Sequence, residues 1–136
     1  MEKENIIVLS FGSNLGDKKN NILKAYKLLE RELGTMIKCS SFLETKAWGF
    51  ESNETFVNSC AKFSTTLTPF ESLKVINAVE HKLGRTRSNG AGYEDRVIDI
   101  DIIFFNNETI DTSELKIPHP LWEVRDFVKI PLKEIM

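Results

Sequence analysis

Two aspartates one residue apart, Asp99 and Asp101, stand inside the most strand-like run of the sequence, Val97-Ile98-Asp99-Ile100-Asp101-Ile102-Ile103. Side chains alternate faces along a strand, so the two carboxylates share one side while Ile98, Ile100 and Ile102 take the other. Two residues along a strand span ~6.6 Å, close enough for both carboxylates to share a divalent-ion site. Aspartate is disfavoured in strands, and two facing the same way repel unless a cation or arginines compensate. Oxygen-only ligation from a carboxylate pair, completed by phosphates and waters, is magnesium chemistry. The competing reading is that both simply occupy the solvated face of an edge strand.

Immediately upstream, Arg85, Arg87 and Arg96 lie on a stretch whose Gly90 and Gly92 give it backbone freedom. Arginines make bidentate contacts to phosphate and stabilise charge during phosphoryl transfer, and such a stretch can close over a nucleotide. A basic loop by itself is usually just solvated. Phe56 and Asn58 share a strand face, so an aromatic plane and an amide point together, although core packing of Phe56 is the simpler account. His119 sits between Pro118 and Pro120, which stiffen its backbone. Gly12-Ser13-Asn14-Leu15-Gly16-Asp17 lacks both the Walker lysine spacing and Gly-x-Gly-x-x-Gly, so its expected job is to turn the chain and cap a helix.

The elements that must position these residues follow from periodicity. Residues 6–11 read as a buried strand closed by Gly12-Ser13-Asn14. From Asp17 the pattern turns helical, with Ile22, Leu23, Tyr26, Leu29 and Leu33 at three- and four-residue steps and Gly34 as the stop. Residues 36–46 and 56–66 are extended candidates. Thr68-Pro69-Phe70-Glu71 has capping-box spacing with proline at the first helical position, ahead of an apolar stripe of Leu73, Ile76, Val79 and Leu83 that Gly84 ends. His81 in that helix reads as a surface residue. Residues 97–105 form the last clear strand, and the tail is irregular with 127–132 a short strand candidate. The order strand, helix, strand, strand, helix, strand predicts an α+β, ferredoxin-like βαββαβ two-layer sandwich: both helices on one face of an antiparallel sheet, the other face left for ligands.

At 136 residues and 41% hydrophobic content, a single domain over residues 1–136 is expected. Basic and acidic residues number 18 and 20, a net charge of -2, so nothing global points to nucleic acid or membrane. Cys39 and Cys60 lack metal-site spacing and read as buried small hydrophobes. No segment approaches the ~20 apolar residues that span a bilayer, and the expectation is a soluble protein of the cytoplasm.

Together these pieces resemble the hydroxymethyl-dihydropterin pyrophosphokinases of folate biosynthesis. The resemblance runs from Ile6 to about Leu132, through Gly12-Ser13-Asn14-Leu15, Ser40-Ser41-Phe42 with Thr45 and Gly49, Phe56-Val57-Asn58, Glu80 with Gly84-Arg85-Thr86-Arg87, Arg96 with Asp99-Ile100-Asp101, and Pro118-His119 with Arg125 and Phe127. It implies that ATP gives its terminal two phosphates as one unit to the hydroxymethyl oxygen of 6-hydroxymethyl-7,8-dihydropterin, releasing AMP. Two magnesium ions would be held by Asp99 and Asp101, with Arg85 and Arg96 neutralising charge as the α,β bridge breaks. Phe56 and Phe127 would sandwich the pterin, Asn58 would bond its edge, and the backbone of Thr45, Lys46, Ala47, Trp48 and Gly49 would complete recognition. Glu80, Arg87, Tyr93, Arg96, Ile102, His119 and Arg125 fall at ATP-side positions, Ile102 through its backbone. Many members carry tyrosine where this chain has Phe56, and Gly-Pro where it has Glu94-Asp95 after Tyr93; Glu114 stands where a basic residue is frequent.

A monomer acting on small molecules is the resulting expectation. The alternatives are a non-catalytic ferredoxin-like ligand-binding or regulatory module, which predicts no magnesium-dependent nucleotide binding, and a single-stranded RNA binder. The mild acidity and the missing aromatic ribonucleoprotein signature weigh against the latter.

Overall fold

The computed structural model describes residues 3–46, 55–84 and 97–136. Among these residues, seven strands and three α-helices follow one another as β1 (Asn5–Ser13), α1 (Lys18–Glu32), β2 (Thr35–Cys39), β3 (Leu43–Lys46), β4 (Thr55–Thr65), α2 (Pro69–Lys82), β5 (Asp99–Phe105), β6 (Ile110–Asp111), β7 (Lys116–Ile117) and α3 (Asp126–Ile135). The main sheet runs β2-β4-β1-β5, with β3 pairing β4 as well, and all its pairings are antiparallel. β2 and β3 lie along successive stretches of β4, so together they fill one sheet position. The four positions then carry the strand order of the expected ferredoxin-like arrangement.

Helix α1 starts where Asp17 accepts from the Asn20 N–H, and buries Ile22, Ala25, Tyr26 and Leu29. Leu23, expected on the same stripe, is 46% exposed, because a residue one step from Ile22 is turned about 100° away from it. Helix α2 has the full capping box of Thr68 and Glu71 with Pro69 at its start. Both helices pack on one sheet face, where Ile7, Leu9, Phe11, Val57, Phe63, Ile100, Ile102 and Phe105 meet them. Gly34 serves less as a flexible stop than as a close approach: a Cβ there would lie 1.9 Å from the Ser64 carbonyl oxygen.

Several expectations change. The strand over 6–11 continues through Gly12 and Ser13, so the turn comes later. Extended residues 36–46 are broken at Ser40, whose hydroxyl accepts the Cys60 N–H in place of a strand bond. Cys39 is exposed, because it stands on β2 at the sheet edge, whereas Cys60 is buried. The tail candidate over 127–132 is α-helix, with Val128, Pro131, Leu132 and Ile135 buried at helical spacing. That helix covers part of the second sheet face, packing on Val8, Cys60 and Ile103. The face opposite α1 and α2 is therefore only partly open, and the half-buried Phe56, Asp99 and Asp101 mark the part that α3 leaves uncovered.

Candidate active site

Register places the chemistry-bearing side chains in rows. On one row across the sheet, Asn58 of β4 pairs with Gly12 of β1, which pairs with Asp99 of β5; on the next, Cys60 pairs with Ser10 and Ser10 with Asp101. Residues opposite one another in a ladder project to the same face, so Asn58, Asp99 and Asp101 stand on the side away from α1 and α2. The alternation behind this is visible along β5: Asp99 and Asp101 are half-buried, while Ile100 and Ile102 are buried among the helices. The same alternation carries Ile103 onto the aspartate side, where it packs under α3, and a register shift opposite Val8 and Leu9 then returns Phe105 to the helix side.

The strand bearing the aspartates is tied down from below. Glu80, at the buried end of α2, accepts the Ile100 N–H at 2.8 Å, at the residue between the two aspartates. Its carboxylate thus serves the backbone of β5 in this structure.

Asp101 meets two nitrogen groups from the tail. The His119 Nε2 and the Arg125 guanidinium each lie 3.9 Å from Asp101 Oδ2, with Arg125 almost fully buried. His119 Nδ1 accepts the Leu121 N–H, which leaves Nε2 as the protonated nitrogen and turns it toward the aspartate. Burial, then the nearby Arg125 charge, lowers the imidazole pKa, with Asp99 opposing. His119 is thereby held as a neutral donor beside Asp101, so the contact is a dipole facing a carboxylate rather than an ion pair. Arg125 also stands 5.6 Å from the centre of the Phe127 ring, linking the aspartate region to the first turn of α3.

At the other end of the row, the Asn58 amide donates to the Thr45 hydroxyl at 2.8 Å, which fixes the amide orientation on a nearly inaccessible side chain. Phe56, opposite Thr45 in the ladder, is half-buried, as is Phe127. Ile102 is buried in the core, so only its backbone can meet a ligand. Ala47, Trp48, Gly49, Arg85, Arg87, Tyr93 and Arg96 lie outside the described residues, as does the side chain of Lys46. The structure thus brings together Asp99, Asp101, His119, Arg125 and Phe127 on one flank and Thr45, Phe56 and Asn58 on the other.

Three supports complete the site, of which Asn21 and Glu134 were not singled out in the sequence and Gly12 reads there as part of a turn. Gly12 lies between the two flanks. Asn21 of α1 donates to the Ser13 hydroxyl and to the carbonyls of Leu15 and Val97, joining the end of β1 to the approach to β5. Glu134 of α3 accepts from both the N–H and the hydroxyl of Ser41, at 2.9–3.0 Å, just ahead of β3. The contacts with Val97 and Ser41 span distant chain positions, so only the polar residue types of Asn21 and Glu134 could have hinted at them.

Among the described residues no three or more acidic, histidine or cysteine side chains cluster as a complete metal cage. A carboxylate pair without further protein ligands matches a cation that takes its other oxygens from phosphates and water. The residues present therefore fit magnesium bound together with a polyphosphate.

Comparison with known proteins places these observations. The family model described as 7,8-dihydro-6-hydroxymethylpterin-pyrophosphokinase (HPPK) matches residues 8–136. The 2-amino-4-hydroxy-6-hydroxymethyldihydropteridine pyrophosphokinase of Porphyromonas gingivalis is 41% identical over 132 residues, covering 96% of this chain and 90% of that protein. The protein of that name from Aquifex aeolicus is 45% identical over 129 residues, covering 95% and 79%. Among solved structures, wild-type HPPK-DHPS of Plasmodium falciparum with pterin and p-hydroxybenzoate superposes with a TM-score of 0.74 at 19% identity, a likeness of fold. The match takes in 96% of this chain and 38% of that longer one.

Proposed function

The chain belongs to the 7,8-dihydro-6-hydroxymethylpterin-pyrophosphokinase family, and from that premise we propose how its own residues serve the reaction. The protein transfers a pyrophosphoryl group from ATP to the hydroxymethyl group of 6-hydroxymethyl-7,8-dihydropterin, a step of folate biosynthesis. A bond forms between the hydroxymethyl oxygen and the β-phosphorus; the bond from that phosphorus to the α,β-bridging oxygen breaks, AMP leaves with that oxygen, and the hydroxyl proton passes to solvent.

The observation that carries this reading is the single sheet face that bears both the Asn58 amide, bonded to Thr45, and the Asp99/Asp101 pair, two strand spacings or ~10 Å apart with Gly12 of β1 between them. Phe56 and Phe127 stack the pterin ring, and Asn58 with the backbone of residues 45–49 bonds its polar edge. An unpaired donor or acceptor on that edge would cost ~1–3 kcal/mol, so this part of the site selects the ring. Asp99 and Asp101 hold magnesium, two ions by family resemblance, whose chemistry there is neutralisation of the triphosphate and polarisation of the hydroxymethyl oxygen.

His119, kept neutral, donates from Nε2, and Arg125 adds fixed positive charge at the same carboxylate. Together they orient Asp101 and offer donors to phosphate oxygens. Glu80 holds β5 at Ile100, and Ile102 presents its backbone to the nucleotide. Arg85 and Arg96 neutralise the charge that develops on the leaving α-phosphate, with Arg87 and Tyr93 at the nucleotide. The protein acts as one domain, as a monomer and in the cytoplasm; no described helix is long and apolar enough to cross a membrane.

Incubation with ATP, magnesium and 6-hydroxymethyl-7,8-dihydropterin should release AMP in step with consumption of the pterin. Release of ADP instead, or no pterin-dependent nucleotide product, would overturn the proposal.

A further inference from the structure

Two serines join β2 to β3, and each is held by a different layer of the fold. Ser40 is buried and belongs to the sheet: its N–H donates to the Cys60 carbonyl and its hydroxyl accepts the Cys60 N–H, both at 2.9 Å. Ser41 is exposed and belongs to α3: its N–H donates to Glu134 Oε1 at 3.0 Å, and its hydroxyl lies 2.9 Å from each carboxylate oxygen. The acceptor is ionised, because these same bonds hold the Glu134 carboxyl below its ordinary value. A long exposed side chain gives up rotamer freedom to be held in this way, across 93 positions of sequence.

The two ends of α3 show what the contact ties together. Phe127 and Glu134 are seven residues apart, two helical turns, so they stand on nearly the same helix face ~10.5 Å apart along the axis. Phe127, in the first turn, is one plate of the ring-binding flank. Glu134, in the last turn, grips the residue two positions ahead of β3, whose Thr45 accepts the Asn58 amide. β3 itself is four residues long and pairs with β4. The apolar packing of α3 on Val8, Cys60 and Ile103 is non-directional and leaves the helix able to slide or tilt. Hydrogen bonds from a backbone N–H and a hydroxyl to one carboxylate fix a single position of the helix against β3.

We propose that Glu134 is a positioning residue for ring recognition: by holding Ser41 it fixes β3 and Thr45 relative to Phe127, and so sets the width of the space in which the pterin ring is held. The proposal rests on the pyrophosphokinase reading above and extends it to a side chain that touches neither substrate.

The test uses Glu134→Ala, Glu134→Gln, Ser41→Ala and the double alanine variant. Affinity for 6-hydroxymethyl-7,8-dihydropterin is measured with magnesium and a non-hydrolysable ATP analogue present, affinity for that nucleotide is measured without the pterin, and thermal midpoints are recorded. Glu134→Ala should weaken the pterin at least about fivefold and leave the nucleotide within roughly twofold. Ser41→Ala keeps the N–H bond and should weaken the pterin less, and it should add no further loss in the Glu134→Ala background, because the contact is already gone there. Glu134→Gln retains an acceptor oxygen at the same reach and should hold the pterin within roughly twofold of the unsubstituted protein. A lower thermal midpoint with pterin affinity unchanged in Glu134→Ala would make the contact structural only and overturn the proposal. Equal losses of pterin and nucleotide, a full additional loss in the double variant, or no recovery in Glu134→Gln would overturn it as well. AMP release by the unsubstituted protein is measured alongside: if it binds the pterin yet releases no AMP, the assigned function fails, while the binding comparison still decides the role of Glu134.

Discussion

Replacing Glu80 probes how the fold holds the aspartate strand. Its carboxylate is 4% exposed and accepts the buried Ile100 N–H at 2.8 Å, at the one backbone position between Asp99 and Asp101. In Glu80→Ala that N–H loses its acceptor where water cannot readily replace it. A hydrogen bond to a charged group contributes ~1.5–3 kcal/mol, and an orphaned buried donor adds to the loss, so a destabilisation of about 2–3 kcal/mol is expected. The carboxylate has further interactions, which makes this a lower bound. For a domain of 136 residues, the unfolding entropy of ~2.1 cal/mol/K per residue converts that into a thermal midpoint lower by about 7–10 °C. Glu80→Gln keeps a carbonyl oxygen in reach and should lose roughly half as much. Urea and calorimetric unfolding of both variants provide the assay, with magnesium-nucleotide titration as the functional readout. Affinity should fall further in the alanine variant than in the glutamine variant, because only the former frees β5 at Ile100. Equal destabilisation by both substitutions, or a midpoint shift below about 2 °C for Glu80→Ala, would refute the assignment of Glu80 as the anchor of this strand.

Asp99→Asn and Asp101→Asn should each lower turnover at least about a hundredfold, the effect of several kcal/mol of lost charge stabilisation, with circular dichroism unchanged; an active double variant would remove the carboxylate pair from the chemistry. Burial raises the Cys60 thiol to about 12, whereas Cys39 is exposed, so a thiol reagent at pH 8 should label one cysteine in the native protein and both in denaturant. Backbone and hydroxyl hydrogen bonds from Ser41 lower the Glu134 carboxyl, and those of Thr68 do the same for Glu71. Both bonds favour the ionised form in the fold, so their stabilisation is full above the ordinary value of 4.5 and fades as pH falls through the lower folded values. Denaturation midpoints between pH 3 and 7 should show this decline, and Glu134→Gln should flatten part of it; an unchanged slope would contradict the Ser41 contact.

The aspartate face was legible in the sequence because a two-residue period needs no tertiary information: Ile98, Ile100 and Ile102 declare the buried side, and Asp99 and Asp101 then have only one place to go. The capping box before α2 was equally local. The end of β1 was harder, since Gly12-Ser13-Asn14 carries turn residues yet continues the ladder, and what decides this is pairing with Val57 and Asn58 far along the chain. Helix α3 was obscured by Pro131, a residue that usually breaks helices, although Val128, Pro131, Leu132 and Ile135 carry the helical spacing. Packing on Val8, Cys60 and Ile103 outweighs the missing N–H there. The lowered His119 pKa depends on burial and then on Arg125, and its approach to Asp101 on the Leu121 N–H, none of which a spacing rule announces.

The central claim is transfer of two linked phosphates in one step across the face shared by Asn58 and the aspartates. Phosphorus NMR of the pterin product tests it most directly, with ATP carrying an isotopic label at its β-phosphate. The account predicts a diphosphate ester, seen as two mutually coupled signals, with the labelled β-phosphate attached to the hydroxymethyl oxygen and AMP as the only nucleotide formed. A monophosphate ester with a single uncoupled signal, accompanied by ADP, would contradict it.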